Sequence, residues 1–185
     1  MKELIIFIDS GDTLVDESTE IRPDGQIVEK AGLFAGAAEA LRRMKASGYR
    51  IALVADGLNQ SFENVYKQHG LRDCFDAWII SETVGEEKPS RRMFQAAMEQ
   101  MGLTDRDKAR IVMIGNNLER DILGANRMGI HSILAGYSPR YRMTPFRAEE
   151  TPEYTAHSPD EIPKLVDALE LQIKAERLAR QKEEA

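Results

Sequence analysis

Short apolar runs alternate along the chain with longer segments in which apolar residues recur every three or four positions. The runs are rich in isoleucine and valine and do not alternate with polar residues, which is typical of strands covered on both faces of a parallel sheet. They are LIIFI (4–8), RIALVA (50–55), AWII (77–80), IVMIG (111–115) and HSILAG (131–136). The pattern predicts five central strands.

The segments between the runs have the period of amphipathic helices. In FAGAAEALRRMKASGY, the residues Ala37, Leu41 and Met44 fall on one face, and Gly48 is placed to end the helix. Three further segments also close at a glycine: NQSFENVYKQHGL, PSRRMFQAAMEQMGL and LERDILGANRMGI. Strands that alternate with helices predict an α/β fold, a doubly wound parallel sheet flanked by helices.

The chain after the fifth run is less regular. Residues 137–160 contain four of the seven prolines and predict an irregular connection with a short strand at EYTAH. The segment SPDEIPKLVDALE predicts a last helix with Ser158 as its N-cap and Pro159 in its first position. We therefore expect one α/β domain over residues 1–170 and a charged helical extension over 171–185.

Composition narrows the class of protein. With 185 residues, 42% of them hydrophobic, the chain is long enough for one domain with a sizeable core. A net charge of -6 argues against a nucleic-acid partner, because phosphate neutralisation needs clustered cations. The single cysteine, Cys74, allows no internal disulfide and is expected to be buried. No apolar segment reaches the roughly 20 residues of a membrane span and no signal peptide is evident, so a cytoplasmic protein is expected.

Chemically competent side chains follow four of the runs, where ligands bind in such sheets. They are Asp9, Ser10, Gly11, Asp12 and Thr13, then Asp56 and Gly57, then Lys88, and finally Asn116, Asn117, Glu119 and Asp121. A strand-end carboxylate can ligate a hard cation with one oxygen and attack phosphorus with the other. A lysine neutralises charge, and loop N–H groups cradle phosphate oxygens. The strand ends therefore predict a magnesium and phosphate site.

Four motifs in this order, DSGDTL, ADG, EKP and GNNLERD, resemble those of the haloacid dehalogenase-like (HAD) hydrolase superfamily. In that family the first strand ends in Asp-x-Asp-x-Thr, and the second ends in Ser or Thr before Asn-Gly. A Lys-Pro pair then opens a helix, and a Gly-Asp pair precedes a further acid. The resemblance covers about residues 3–136 and implies a Rossmann-like fold and a phosphatase that acts on a small phosphorylated molecule.

The resemblance also implies roles for individual residues. Asp9 would be the nucleophile that forms an aspartyl-phosphate, and Lys88 would neutralise Asp9 and the bound phosphoryl group. The implied Mg²⁺ ligands are Asp9, the Gly11 carbonyl, Asn116 and Asp121. Substrate contacts are expected from Asp56, Gly57, Lys88 and Asn117.

Three positions depart from the family pattern. Most phosphatases of the family have an Asp general acid where this chain has Gly11, and the nearest Asp is Asp12. Loss of that acid removes a contribution of about 10²–10⁴ in rate. Ala55 replaces a hydroxyl that binds the phosphoryl group, and Asn116 replaces a charged metal ligand.

These departures leave three interpretations. The first, which we adopt as the prediction, is a phosphatase in which Asp12 or Asp56 replaces the missing acid. The second is a hydrolase whose substrate has a good leaving group, as in the haloalkanoate dehalogenases of the superfamily. The third is a catalytically weak member that serves as a binding or regulatory protein.

The interval 15–34 is too short for a helical cap domain. It predicts a loop or hairpin over the site, with RPDGQ as its turn. Capless members act on larger substrates or close their sites with a neighbouring subunit, so a homo-oligomer is left open. The segment YSPRYRM could border the site through Arg140 or Arg142, although a surface loop pinned by tyrosine packing is the simpler interpretation.

Overall fold

The computed structural model describes residues 2–138 and 140–183, which form a parallel six-stranded sheet with helices on both faces and a separate hairpin. The sheet order is β5-β4-β1-β6-β7-β8. The strands are β1 Ile5–Ile8, β2 Val15–Ile21, β3 Lys30–Leu33, β4 Arg50–Ala55, β5 Ala77–Ile80, β6 Ile111–Gly115, β7 His131–Ala135 and β8 Tyr154–Ala156. All five predicted central strands and the short strand at EYTAH are confirmed.

Five of the six described helices lie where the sequence predicts them, whereas the short helix Ser81–Val84 was not predicted. They are α1 Ala37–Ala46, α2 Asn59–Gln68, α3 Ser81–Val84, α4 Arg91–Gln100, α5 Leu123–Met128 and α6 Ile162–Glu183. The segment predicted as one helix from Leu118 begins with a π-helical turn, Leu118–Ile122, before α5. The predicted doubly wound α/β fold is therefore confirmed.

The core has one layer on each face of the sheet, and β1 contributes to both. Ile6 and Ile8 pack in the layer that contains α1, α2 and α6, whereas Ile5 and Phe7 pack in the layer that contains α4 and α5. Successive side chains of a strand point to opposite faces, so a strand covered on both sides needs an unbroken apolar run.

The register of the sheet places the motifs together. Ile8, the last residue of β1, pairs with Leu53 on one side and with Ile114 on the other. The next amide, that of Asp9, donates to the Ile114 carbonyl at 2.9 Å. The residues that follow β1, β4 and β6 therefore emerge at the same edge of the sheet.

An antiparallel hairpin of β2 and β3 replaces a cap domain, as predicted. Its turn is RPDGQ: the Gly25 amide donates to the Arg22 carbonyl at 3.0 Å, and the Asp24 carboxylate accepts the Gln26 amide at 3.0 Å. The hairpin packs on α2, where the Val28 amide donates to Ser61 Oγ at 3.0 Å. Within the described residues no larger cap stands over the sheet.

The C-terminal region combines an irregular connection with one long helix. Ser158 takes the N-cap position and Pro159 the first position of a short 3₁₀ turn before α6, but the Ser158 side chain makes no capping hydrogen bond. Helix α6 crosses the predicted boundary at residue 170 without a break, and Ile173 is buried beyond it. A separate role for residues 171–185 stays a prediction, since Glu183 is the last described residue.

Two smaller predictions can be compared with the fold. Cys74 is buried as expected. None of the described helices combines the length and the apolar character needed to cross a membrane.

Candidate active site

Lys88 links the predicted nucleophile to a second acid. Its Nζ donates to Asp9 Oδ1 at 2.7 Å, to Asp121 Oδ1 at 2.7 Å and to the Val54 carbonyl at 2.9 Å. The lysine side chain is 2% exposed, so these bonds replace water almost completely. Three motifs that lie far apart in the chain meet at this ammonium group.

The charges in this network are mutually dependent. Burial alone would lower the pKa of Lys88, but the carboxylates of Asp121, Asp9 and Asp56 more than offset it and raise that pKa. Burial raises the pKa of Asp121, although Lys88 opposes the rise. Lys88 therefore remains a cation, which is the state that can hold a carboxylate nucleophile and neutralise an incoming phosphate.

The predicted site residues border a polar cavity of about 50 Å³, large enough for a few water-sized groups. Its lining comprises Asp9, Gly11, Glu17, Asp56, Lys88, Asn116, Asn117, Arg120, Asp121 and Tyr141. The structure thus brings together Asp9, Lys88, Asn116 and Asp121, as the sequence predicts. We call this space the polar cavity.

Gly115 shows why the fourth motif needs a glycine at the end of β6. A Cβ added to Gly115 would overlap the Asp121 carboxylate. One oxygen of Asp121 accepts a hydrogen bond from Lys88 Nζ, and the other accepts one from the Asn117 amide at 3.0 Å. The absence of a side chain at Gly115 lets the acid fold back against the strand.

Asp12 is not among the residues that line the polar cavity. It sits in a left-handed turn with φ +50°, and its Oδ1 accepts the Glu17 amide at 3.3 Å. Its Oδ2 lies 3.3 Å from an Arg140 nitrogen. Asp12 was predicted to act as the acid of this site, but the structure does not bring it to the polar cavity. One of its oxygens is bonded within the turn and the other pairs with Arg140.

Two predicted substrate contacts are already bonded within the protein. The Gly57 amide donates to Ser81 Oγ at 2.9 Å, so it is not free to hold phosphate. Asn117 Oδ1 accepts the amides of Glu119 and Arg120 and caps the helical turn that follows. By contrast, the amides of Ser10 and Gly11 donate to no other described residue, so they can donate to phosphate oxygens.

The donor set of the polar cavity fits a hard cation such as Mg²⁺. No group of three His, Cys, Asp or Glu residues suited to a metal occurs in the described part of the chain. Oxygen donors are nevertheless available from Asp9, Asn116 and the Gly11 carbonyl. Asp121, the fourth predicted ligand, has both oxygens bonded, one to Lys88 and one to the Asn117 amide. The Asn116 amide is 2% exposed, and its Nδ2 has no hydrogen-bond partner among the described residues. This unpaired N–H group is a donor that can bind a phosphate oxygen and cannot ligate the cation, so the fit to Mg²⁺ rests on the oxygen atoms.

Glu17 is a site residue that the sequence prediction missed. A Cβ added at Gly11 would overlap Glu17 Oε1, so this carboxylate occupies the space where a side chain at position 11 would begin. The signal available in the sequence was the strand period of β2, which places Asp16 and Glu17 on opposite faces. Asp16 accepts the Ser18 amide on the exposed side.

The loop that follows β1, residues 9–14, is called the nucleophile loop after the predicted role of Asp9. A second cavity of about 140 Å³ lies between this loop, the hairpin and α2. Its apolar lining comes from Val15, Val28, Leu58, Phe62 and Val65. We call it the apolar cavity, although Glu17, Glu20, Arg22 and Asp56 also border it. The hairpin that replaces a cap therefore borders a pocket next to Ser10 and Gly11.

The segment after β7 borders the site through Arg140. This arginine forms ion pairs with Asp12 and Glu17. Arg142 instead pairs with Glu119 and Glu150. The expected tyrosine packing is also present, because Tyr137 and Phe34 meet edge to face with ring centroids 5.4 Å apart.

The sequence matches a family model described as haloacid dehalogenase-like hydrolase over residues 4–129. The chain belongs to this hydrolase family. The resemblance inferred from the four motifs is thereby confirmed.

Curated relatives include phosphatases and a dehalogenase. The pyrimidine 5'-nucleotidase YjjG of Escherichia coli is 36% identical over 95 residues, which cover 51% of this chain and 41% of that protein. A glyceraldehyde 3-phosphate phosphatase of Methanothermobacter thermautotrophicus is 34% identical over 102 residues, 55% of this chain and 43% of that protein. An (S)-2-haloacid dehalogenase of a Pseudomonas species is 30% identical over 125 residues, which cover 62% of this chain and 52% of that protein. The chain spans about half the length of these relatives.

Solved structures agree on the fold. A HAD phosphatase from Thermococcus onnurineus has a TM-score of 0.71 and 16% identity, and covers 88% of this chain and 97% of that one. The HAD hydrolase YfnB from Bacillus subtilis, described as bound to magnesium, has a TM-score of 0.72 and 14% identity. The match covers 90% of this chain and 99% of that one. At these identities the likeness concerns the fold alone.

Proposed function

We propose that this protein is a phosphatase that hydrolyses a small phosphate ester through an aspartyl-phosphate on Asp9. The observation that carries the proposal is the state of the Asp9 carboxylate. Lys88 holds one oxygen at 2.7 Å, whereas the other has only a 3.4 Å contact from the Thr13 hydroxyl, and Asp9 lines the polar cavity. A carboxylate fixed at one oxygen and free at the other suits a nucleophile.

The surrounding residues support the transfer of a phosphoryl group. Asp9 attacks phosphorus, the bond to the leaving oxygen breaks, and water then releases phosphate from the aspartyl-phosphate. Lys88 would offset the negative charge of the phosphoryl group, and the amides of Ser10 and Gly11 would donate to its oxygens. The named phosphatases among the relatives favour a small phosphorylated substrate over other esters.

We include Mg²⁺ in this proposal. Asp9, the Gly11 carbonyl and Asn116 would hold the ion, with Asp121 and Lys88 balancing charge behind them. When bound, Mg²⁺ supplies charge neutralisation and orientation for the phosphate oxygens. Because Asn116 is neutral, we expect weaker binding of the ion than a third carboxylate would give.

A dehalogenase is the second candidate, favoured by Gly11, by the neutral Asn116 and by the dehalogenase relative. In that reaction Asp9 would attack carbon and displace halide, which needs no acid. A cytoplasmic location and a homo-oligomer stay predictions, as do the expected absences of a nucleic-acid partner and of a membrane partner.

A substrate panel tests the proposal. Purified protein is assayed for phosphate release from small phosphate esters with and without Mg²⁺, and for halide release from 2-haloacids, beside Asp9→Asn. We expect Mg²⁺-dependent phosphate release that Asp9→Asn abolishes.

The other outcomes separate the alternatives. Halide release without Mg²⁺ would support the dehalogenase. Phosphate release that survives Asp9→Asn would exclude Asp9 as the nucleophile. No turnover, together with no Mg²⁺ binding in calorimetry, would favour a binding protein.

A further inference from the structure

The missing acid of the nucleophile loop has a counterpart on the hairpin. Glu17 Oε1 lies where a Cβ at position 11 would be, so a carboxylate from β2 fills the room left by Gly11. The Glu17 amide is tied to Asp12 Oδ1 at 3.3 Å, which fixes the start of its side chain. Gly11 and Glu17 are therefore complementary, since a side chain at position 11 would displace this carboxylate.

Glu17 also stands at the boundary of the two cavities. Gly11, Glu17 and Asp56 line both the polar cavity and the apolar cavity. If the phosphoryl group occupies the polar cavity and the rest of the substrate occupies the apolar cavity, the bond that breaks lies at this boundary. A proton donor for the leaving oxygen is needed at the same place.

The carboxylate of Glu17 is anchored at one oxygen only. Arg140 pairs with Oε2, and Oε1 accepts no hydrogen bond from a described residue. The two aspartates that could compete are more fully engaged. Asp12 accepts the Glu17 amide with Oδ1 and pairs with Arg140 through Oδ2. Asp56 accepts the Lys88 amide at 3.0 Å and contacts Arg120 at 3.3 Å.

We propose that Glu17 is the general acid and base of this enzyme, in place of the aspartate that Gly11 replaces. The inference rests on the proposed phosphatase reaction. In the first step Asp9 forms a bond to phosphorus, the ester P–O bond breaks, and the proton of Glu17 passes to the leaving alkoxide. In the second step the Glu17 carboxylate takes a proton from water, the water oxygen bonds to phosphorus, and the bond to Asp9 breaks to release phosphate.

The leaving group distinguishes proton transfer from a structural role. Glu17→Gln keeps the shape and loses the proton. We expect it to lower kcat on an alkyl phosphate, such as glycerol phosphate, by about 10²–10⁴-fold. On p-nitrophenyl phosphate, whose leaving group needs no proton, the loss should stay below about tenfold. Asp16→Asn, the neighbouring acid on the outer face of the same strand, is the matched control and should leave both rates unchanged.

A relocated acid gives a second test. Glu17→Ala clears the space beside Gly11, and Gly11→Asp added to it puts a carboxylate on the nucleophile loop. We expect Glu17→Ala alone to lose activity on the alkyl phosphate and the double variant to regain a measurable part of it. Circular dichroism confirms that each variant is folded.

The outcomes separate this inference from the proposed function. Suppose that the parent protein releases phosphate and that Asp9→Asn abolishes this release. If Glu17→Gln then lowers kcat equally on both substrates, or on neither, the role of Glu17 is overturned while the phosphatase stands. If Asp12→Asn or Asp56→Asn instead shows the leaving-group dependence, the acid lies there. If the parent releases no phosphate from either substrate, the proposed function fails, and the role of Glu17 fails with it.

Discussion

At the scale of single residues, Lys88 forms ion pairs with both buried acids of the site, Asp9 and Asp121. It is buried between Asp9 and Asp121, with both carboxylate oxygens 2.7 Å from its Nζ. A buried pair adds little net stability over an apolar substitute, but removing one partner leaves an unpaired charge in a poorly solvated place. Here that removal would leave two carboxylates facing each other.

We therefore expect Lys88→Met to lower the free energy of unfolding by about 3 kcal/mol and to abolish turnover. Lys108→Met is the matched control, because Lys108 pairs with the exposed Asp105 at the surface. Its cost should stay below about 1 kcal/mol. Urea unfolding of the three proteins measures both differences. An equal loss of unfolding free energy in the two variants would show that the buried ion pairs matter no more for stability than the surface pair.

Asp12 tests the role of backbone conformation at the nucleophile loop. Its φ of +50° is a conformation that asparagine and aspartate tolerate better than most residues. Asp12→Asn keeps that tolerance and keeps an oxygen for the Glu17 amide, so we expect folding and kcat close to those of the parent. Steady-state kinetics on an alkyl phosphate provides the measurement. A loss as large as that expected for Glu17→Gln would instead make Asp12 the acid.

At the scale of elements, Glu150 holds together the irregular segment after β7. Its carboxylate accepts bonds from Arg147 at 2.6 Å, from the Phe146 amide at 2.9 Å and from Arg142 at 2.7 Å. Arg142 in turn pairs with Glu119 of the π-helical turn. These bonds, led by the Arg147 contact, lower the pKa of Glu150 to about 2.

The sign of the pH dependence follows from this lowered pKa. The unfolded carboxyl has a pKa near 4.5, so the folded state binds fewer protons between that value and about 2. The contribution of Glu150 to stability is present above about pH 4.5 and is lost as the pH falls through this window. Glu150→Gln should lower Tm at pH 7, and the difference from the parent should shrink towards pH 2.

Glu149→Gln is the control for that titration, because Glu149 reaches Arg127 only at 3.4 Å on the surface. Thermal unfolding is followed at several pH values for all three proteins. A Tm difference for Glu150→Gln that stays constant from pH 7 to pH 3 would contradict the assignment.

At the scale of the whole molecule, α6 joins the C-terminal residues to the sheet. Glu170 accepts the Leu4 amide at 2.8 Å, and Ile173 is buried beyond the predicted domain boundary. Arg177 pairs with Glu3 at 3.0 Å. These contacts indicate that at least two turns after residue 170 pack on the domain.

Ile173→Ala should accordingly lower the free energy of unfolding by about 2 kcal/mol, since a nearly buried side chain is lost. Leu171→Ala lies on the same helix, but Leu171 is 68% exposed and should change stability by no more than about 0.5 kcal/mol. Chemical denaturation compares the two variants. Equal effects would mean that α6 beyond residue 170 is only loosely attached.

The order of apolar runs and helical segments is sufficient to predict the sheet, its main helices and most of the candidate site. Apolar runs and helical periods are local properties, and parallel strands in a doubly wound sheet end at one edge. The sequence therefore predicts that Asp9, Lys88, Asn116 and Asp121 lie together. The family resemblance followed from the order of their motifs.

The position of Glu17 beside Gly11 depends on the tertiary structure. The hairpin folds back so that Glu17 fills the space at Gly11, while Asp12 turns to Arg140 and the Gly57 amide bonds to Ser81. Residue types and spacing do not specify such contacts, because they depend on how a loop lies against segments from elsewhere in the chain. Arg140, which anchors Glu17, comes from a segment more than 100 residues along the chain.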